Sequence, residues 1–93
     1  PEADALLGAC RERIDALDER IIALLKERVE IVREVGKLKE RTAPGRCPLR
    51  PGREAEQVRR VVRTFQNSIF HAEAAASIWR SIINGSLAVE GNI

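Results

Sequence analysis

Apolar residues recur at alternating steps of three and four along residues 3–41, a stretch that contains no proline. This spacing is typical of a heptad seam on one long α-helix. Such a helix would be roughly 55–60 Å long, so one side of a small domain cannot cover it. The long helix therefore needs a partner along its length. The apolar positions of this series, called the seam below, are Leu7, Cys10, Ile14, Leu17, Ile21, Leu24, Ile31, Val35 and Leu38.

Two shorter helices are predicted after the long one. Prolines at positions 44, 48 and 51 end the first helix and form a loop, and Pro51 suits the first position of the next helix. The second helix is expected over residues 51–66 and the third over residues 72–89, with Gly91 as its stop. Gly36 and Gly85 interrupt the predicted helices at a cost of about 1 kcal/mol each, which indicates close packing at those positions. The predicted fold is all-α, with three helices in one domain.

Composition excludes several function classes. The 93 residues carry 16 basic and 14 acidic side chains, interleaved, and only 3% of residues are aromatic. A polybasic surface with stacking aromatics is therefore absent, and we expect no nucleic-acid binding. Two cysteines give no disulfide or zinc framework, and a single histidine, His71, makes a metal site improbable. No stretch reaches the length of a membrane span, so we expect a cytoplasmic protein that does not enter a membrane.

Arg28 occupies a seam position at which the neighbouring members of the series are apolar. A guanidinium that is buried without a partner is costly, so an anion should meet it. One candidate is the carboxylate of a bound ligand. The alternative is a glutamate of a partner helix, which would fix the register of a coiled coil. From this residue alone the two interpretations are nearly equal.

Lys39 follows Arg28 by eleven residues and falls within roughly 20° of it on the same helix face. The two cations are about 16 Å apart along the axis, a gap that could hold a small dianion. An exposed lysine that interacts with the helix dipole is the simpler interpretation of Lys39 alone. Arg11 lies about 25 Å from Arg28, but in an antiparallel dimer centred near residue 22 it would be level with residue 33 of the partner. A two-fold dimer would therefore bring Arg11 of one chain between Arg28 and Lys39 of the other.

Four segments together resemble the all-α chorismate mutases. RERIDALDERIIALLKER at residues 11–28 and VGKLK at residues 35–39 resemble the first helix of that family. PGREA at residues 51–55 resembles the Pro-x-Arg-Glu start of its second helix, and IINGSLAVE at residues 82–90 resembles its third-helix motif. The segments cover nearly the whole chain in the order of the family. The domain is either free-standing or part of a longer polypeptide.

The resemblance implies an intertwined homodimer that rearranges chorismate to prephenate in aromatic amino acid biosynthesis, without metal or organic cofactor. Arg11 of the partner and Arg28 would then bind the two substrate carboxylates, and Lys39 would face the ether oxygen, where negative charge develops. Glu54 would accept a hydrogen bond from the ring hydroxyl. The same resemblance assigns Arg53 to anchoring that end of the substrate, and Ser86 and Glu90, four residues apart on one helix face, to the pocket.

Two positions depart from the family pattern. Glu90 stands where many members carry a glutamine that donates to the ether oxygen, and only a protonated glutamate could donate there. We therefore expect activity that rises as the pH falls. Arg50 aligns with a position that is acidic in some relatives, and its role is open.

Two other functions remain as alternatives. The first is a relative with the same scaffold and another substrate, such as an isochorismate pyruvate lyase or an aminodeoxychorismate mutase. Glu54 and Lys39 in the Pro-x-Arg-Glu context favour the mutase over these. The second is a non-enzymatic helical dimerisation module in which Arg28 forms a salt bridge.

Overall fold

The computed structural model describes residues 1–42 and 51–89. It contains three helices in these ranges: α1 (Glu2–Thr42), α2 (Pro51–Phe65) and α3 (Ala72–Val89), with no strand in the described part. The all-α prediction is confirmed, as is the order of one long and two shorter helices. α1 extends one residue beyond the predicted range at each end, and α2 ends one residue early. The expected stop at Gly91 lies outside the described residues.

α1 carries charges that suit the helix dipole, with Glu2 and Asp4 in its first turn and Lys39 and Arg41 in its last. Contacts divide the chain into two units, Pro1–Ile31 and Val32–Ile93. The first unit is the larger part of α1, and its large apolar side chains are exposed to solvent. None of the described helices has the length and hydropathy of a membrane-spanning segment.

In the second unit, α2 and α3 pack against each other as an antiparallel hairpin. The indole Nε1–H of Trp79 donates to Gln57 Oε1 at 3.4 Å, and the rings of Phe65 and Phe70 lie 5.5 Å apart. Contacting residues therefore follow one another in opposite directions along α2 and α3. Each helix contributes one face. On α2 the half-buried residues are Glu54, Gln57, Val58, Val61, Val62 and Phe65, and on α3 the buried ones are Ala75, Ala76, Ile83 and Ser86.

Local hydrogen bonds build the turn between α2 and α3. Ser68 Oγ accepts from the backbone N–H of Phe70 at 3.1 Å. His71 caps α3, because its Nδ1 accepts from the Glu73 N–H at 3.3 Å and its carbonyl from the Ala75 N–H at 3.1 Å. His71 therefore has a structural role at the start of α3.

The outward face of α2 carries an ion-pair cluster. Glu56 accepts hydrogen bonds from Arg59 at 2.8 Å and from Arg63 at 3.3 Å. The hydrogen bond from Arg59, reinforced by the one from Arg63, lowers the pKa of Glu56 below the ordinary glutamate value. All three side chains are more than half exposed, so the cluster supports α2 only weakly.

The close packing expected at Gly85 is not present within this chain. A Cβ built on Gly85 meets no heavy atom within 4 Å among the described residues, apart from its chain neighbours and its own helix backbone. The approach of a helix or a ligand at Gly85 stays a prediction.

Candidate functional site

The predicted site residues divide between the two units. Arg11 and Arg28 belong to the first unit, where both lie on α1. Arg11 is exposed and Arg28 is half-buried. Since they are about 25 Å apart along one helix, a single chain does not bring them together. Whether Arg11 and Arg28 meet across two chains stays a prediction.

Arg28 is less exposed than the seam residues on either side of it. Leu24 and Ile31 are 61% and 54% exposed, whereas Arg28 is half-buried. The aliphatic stem of an arginine can cover apolar surface while its charged end stays near the surface. Arg28 therefore lies in the seam of α1 as a partly buried cation.

Lys39, Arg53, Glu54 and Ser86 belong to the second unit. Lys39 lies in the last turn of α1, and Arg53 and Glu54 lie in the first turn of α2. Lys39 and Glu54 are half-buried, whereas Arg53 is exposed. A half-buried carboxylate in the first turn of a helix is favoured by the dipole, which keeps Glu54 suited to accept a hydrogen bond.

Ser86 is the buried polar residue of α3, with 7% of its surface exposed. Its hydroxyl donates to the Ile82 carbonyl at 2.8 Å, one helical turn back. Antiparallel pairing of Gln57 with Trp79 places Glu54 level with Ile82, and Ser86 one turn further toward the same end of the hairpin. The fold thus brings Glu54 and Ser86 to one end of the α2–α3 pair.

Two predicted positions lie outside the described residues: Glu90, the proposed neighbour of Ser86, and Arg50. Sequence reasoning did not single out Gln57, although a polar residue between Glu54 and Val58 on the apolar face of α2 was a visible signal. The structure also shows that Trp79 contacts α2 through its indole N–H.

The described residues offer no metal centre. No group of three His, Cys, Asp or Glu side chains in residues 1–42 and 51–89 is placed to hold a metal ion. Cys10 is an exposed free thiol, and Cys47 lies outside the described ranges.

These features define a class: a small all-α domain with partly buried cations on a long helix and a carboxylate and a hydroxyl at one end of a helical hairpin. Within that class, the chain belongs to the chorismate mutase type II family, whose model matches residues 10–91. The matched range includes every predicted site residue from Arg11 to Glu90. The resemblance recognised in the sequence is confirmed, and the chain is a chorismate mutase domain.

Curated relatives agree with the family. A bifunctional chorismate mutase/prephenate dehydratase of Aquifex aeolicus is 32% identical over 94% of this chain, and one of Pseudomonas aeruginosa is 33% identical over 90%. A third, from Stutzerimonas stutzeri, is 36% identical over 96% of the chain. The chain spans about a quarter of the length of these relatives, 24% to 25%. No solved structure gives a significant match.

Proposed function

We propose that this domain rearranges chorismate to prephenate, acting in the cytoplasm as a homodimer in aromatic amino acid biosynthesis. The observation that carries the proposal is the family match, which spans residues 10–91 and so includes all seven predicted site residues. In this reaction one C–O bond breaks and one C–C bond forms within a single molecule. The protein therefore needs to supply shape and charge rather than a nucleophile or a proton relay.

The exposed seam of α1 supports the homodimer. Leu17, Ile21 and Leu24 are 51%, 62% and 61% exposed, and they continue one apolar stripe along the helix. A contiguous exposed apolar stripe of this kind is typical of an interaction surface. A second copy of α1 packed antiparallel would cover it and would bring Arg11 of the partner beside the segment between Arg28 and Lys39.

The three cations would then share the work on a substrate with two carboxylates. Arg28 and the Arg11 of the partner would each hold one carboxylate, which fixes the flexible enolpyruvyl arm over the ring. Lys39 would face the ether oxygen and stabilise the charge that develops as the C–O bond breaks. A single preorganised donor of this kind contributes about 10²- to 10³-fold in rate.

The α2–α3 end would bind the rest of the substrate. The half-buried Glu54 would accept a hydrogen bond from the ring hydroxyl, and Arg53 would help to anchor it. Ser86 now donates to the Ile82 carbonyl at 2.8 Å, so its hydroxyl has to turn toward the ligand before it can donate to a carboxylate. Glu90 would donate to the ether oxygen when protonated, alongside Lys39.

The test is the loss of chorismate absorbance with purified protein, with prephenate identified by chromatography. Arg28→Leu should lower the rate by about 10²-fold or more without dissociating the dimer. Arg33→Leu is the control, because Arg33 is exposed on α1 about 140° from Arg28 and should keep the activity. No prephenate from the unsubstituted protein, together with a more stable dimer in Arg28→Leu, would instead identify a dimerisation module.

A further inference from the structure

A side-chain hydrogen bond joins α2 to α3 at a point where the packing is otherwise largely apolar. Trp79 Nε1–H donates to Gln57 Oε1 at 3.4 Å, and both residues are half-buried. Their neighbours on the two faces include the half-buried Val58 and the fully buried Ala76. An amide and an indole N–H in such surroundings each need a polar partner, and here each provides one for the other.

This contact lies directly beside the end of the hairpin that carries predicted site residues. Gln57 follows Glu54 by three residues on the same face of α2, and Trp79 precedes Ser86 by seven residues, two turns, on the same face of α3. From Gln57, the start of α2 leads to Glu54, and from Trp79, the end of α3 leads to Ser86, at the same end of the hairpin. A shift at Gln57 or Trp79 would therefore be transmitted along rigid helix to Glu54 or Ser86.

The hydrogen-bonded turn and the Phe65–Phe70 ring pair hold the α2–α3 hairpin at one end, and the Trp79–Gln57 bond lies further along it, toward the site. Apolar contacts between valines and alanines are non-directional, whereas a hydrogen bond depends on distance and angle. A slide of one residue, about 1.5 Å, would break the 3.4 Å bond. The polar pair thus adds a directional contact to the apolar packing.

We propose that the Trp79–Gln57 hydrogen bond is a positioning contact that fixes the register of α2 on α3, and through it the distance between Glu54 and Ser86 in the substrate site. The inference rests on the proposed function and adds two positioning residues that do not touch the substrate. It predicts that loss of the bond lowers kcat by more than the accompanying change in Tm explains.

The test compares Gln57→Met, which keeps the length of the side chain but removes the acceptor, with Gln57→Glu, which keeps an acceptor oxygen. Val61→Ala is the matched control, because Val61 is half-buried on the same α2 face and makes only apolar contacts through its side chain. We expect Gln57→Met to lower kcat by about tenfold with KM changed less than about twofold, since small misplacements near a site carry costs of this order. Gln57→Glu should recover most of that loss, and Val61→Ala should lower Tm with little change in kcat.

A second readout follows the bond itself. Trp79 is the single tryptophan of the chain, so a ¹H–¹⁵N spectrum contains one indole N–H signal. In Gln57→Met the chemical shift of this signal should change and the indole proton should exchange faster with solvent. In Gln57→Glu the chemical shift should stay close to its original value. An unchanged indole signal in Gln57→Met, or a kcat that falls only in step with Tm as in Val61→Ala, would overturn the inference.

The two proposals fail in different ways. If the unsubstituted protein does not turn over chorismate, the proposed function fails, and the positioning role fails with it. If it turns over chorismate and Gln57→Met does so equally well, only the positioning role is lost.

Discussion

Ile21→Ala is the sharpest test of whether the exposed face of α1 is a dimer interface. Ile21 lies near the middle of the seam and close to the predicted two-fold axis at residue 22, and 62% of its surface is exposed in the single chain. In a two-fold dimer both copies of this side chain would be covered near the axis. The substitution removes apolar atoms without adding charge or breaking the helix, because alanine is the best helix former.

The magnitude follows from the exposed fraction. Alanine lacks three of the carbon atoms of isoleucine, each worth about 0.8 kcal/mol when fully buried. Only the 62% of the residue that the single chain leaves exposed can be covered by the partner, which gives about 1.5 kcal/mol per chain. The substitution in both chains therefore lowers the stability of the dimer by about 3 kcal/mol, which raises its Kd by about 150-fold.

Sedimentation velocity over a dilution series measures this change, with 10.4 kDa as the mass of the dissociated chain. Glu19→Ala is the matched control, because Glu19 is exposed on the side of α1 opposite the seam and should leave the Kd unchanged. If the partner supplies Arg11, as proposed above, mutase activity should fall with the dimer fraction. An active protein that sediments at 10.4 kDa at every concentration, or equal Kd values for the two variants, would refute the reasoning.

Three further predictions concern single positions. Gly85→Ala should raise Tm by about 3–7 °C, because among the described residues the added Cβ meets no atom within 4 Å beyond its chain neighbours and its own helix backbone, and alanine favours a helix by about 0.8–1 kcal/mol. A lower Tm in thermal unfolding would show that another group packs there. Because Arg59 lowers the pKa of Glu56, the ionised carboxylate stabilises α2 above the ordinary glutamate pKa, and this contribution is lost as the pH falls through the lowered value. The free energy of unfolding, measured with urea, should accordingly depend less on pH between about 5 and 2 in Glu56→Gln than in the original chain. An equal pH dependence in the two proteins would contradict the stabilising role of ionised Glu56. If a protonated Glu90 donates to the ether oxygen, kcat should rise from pH 7.5 to pH 5, and Glu90→Gln should be insensitive to pH over that range; an equal slope in both proteins would exclude this role.

The helices could be predicted from the sequence because each element carries its own signals. In the sequence, proline and glycine follow the three-and-four spacing that predicts α1, and Pro51 suits the start of α2. The predicted bounds of the described helices therefore agree with the structure to within one residue. The register of α2 on α3 could not be predicted in the same way. It depends on which residues meet across the hairpin, and the pairing of Gln57 with Trp79 is a tertiary contact that no local pattern specifies.

Polar residues on apolar faces were the informative positions of this chain, and they differ in how easily a sequence reveals them. Arg28 stands out because the seam around it has nine apolar positions, so one charged residue breaks a long series. Gln57 sits on a face of only six half-buried residues that already begins with Glu54, where one more polar side chain looks like the solvated end of a helix. The structure reveals the role of Gln57 through its partner, because the amide oxygen of this half-buried residue accepts a hydrogen bond from the indole of Trp79. A short helix can therefore hide a polar contact that a long helix would reveal.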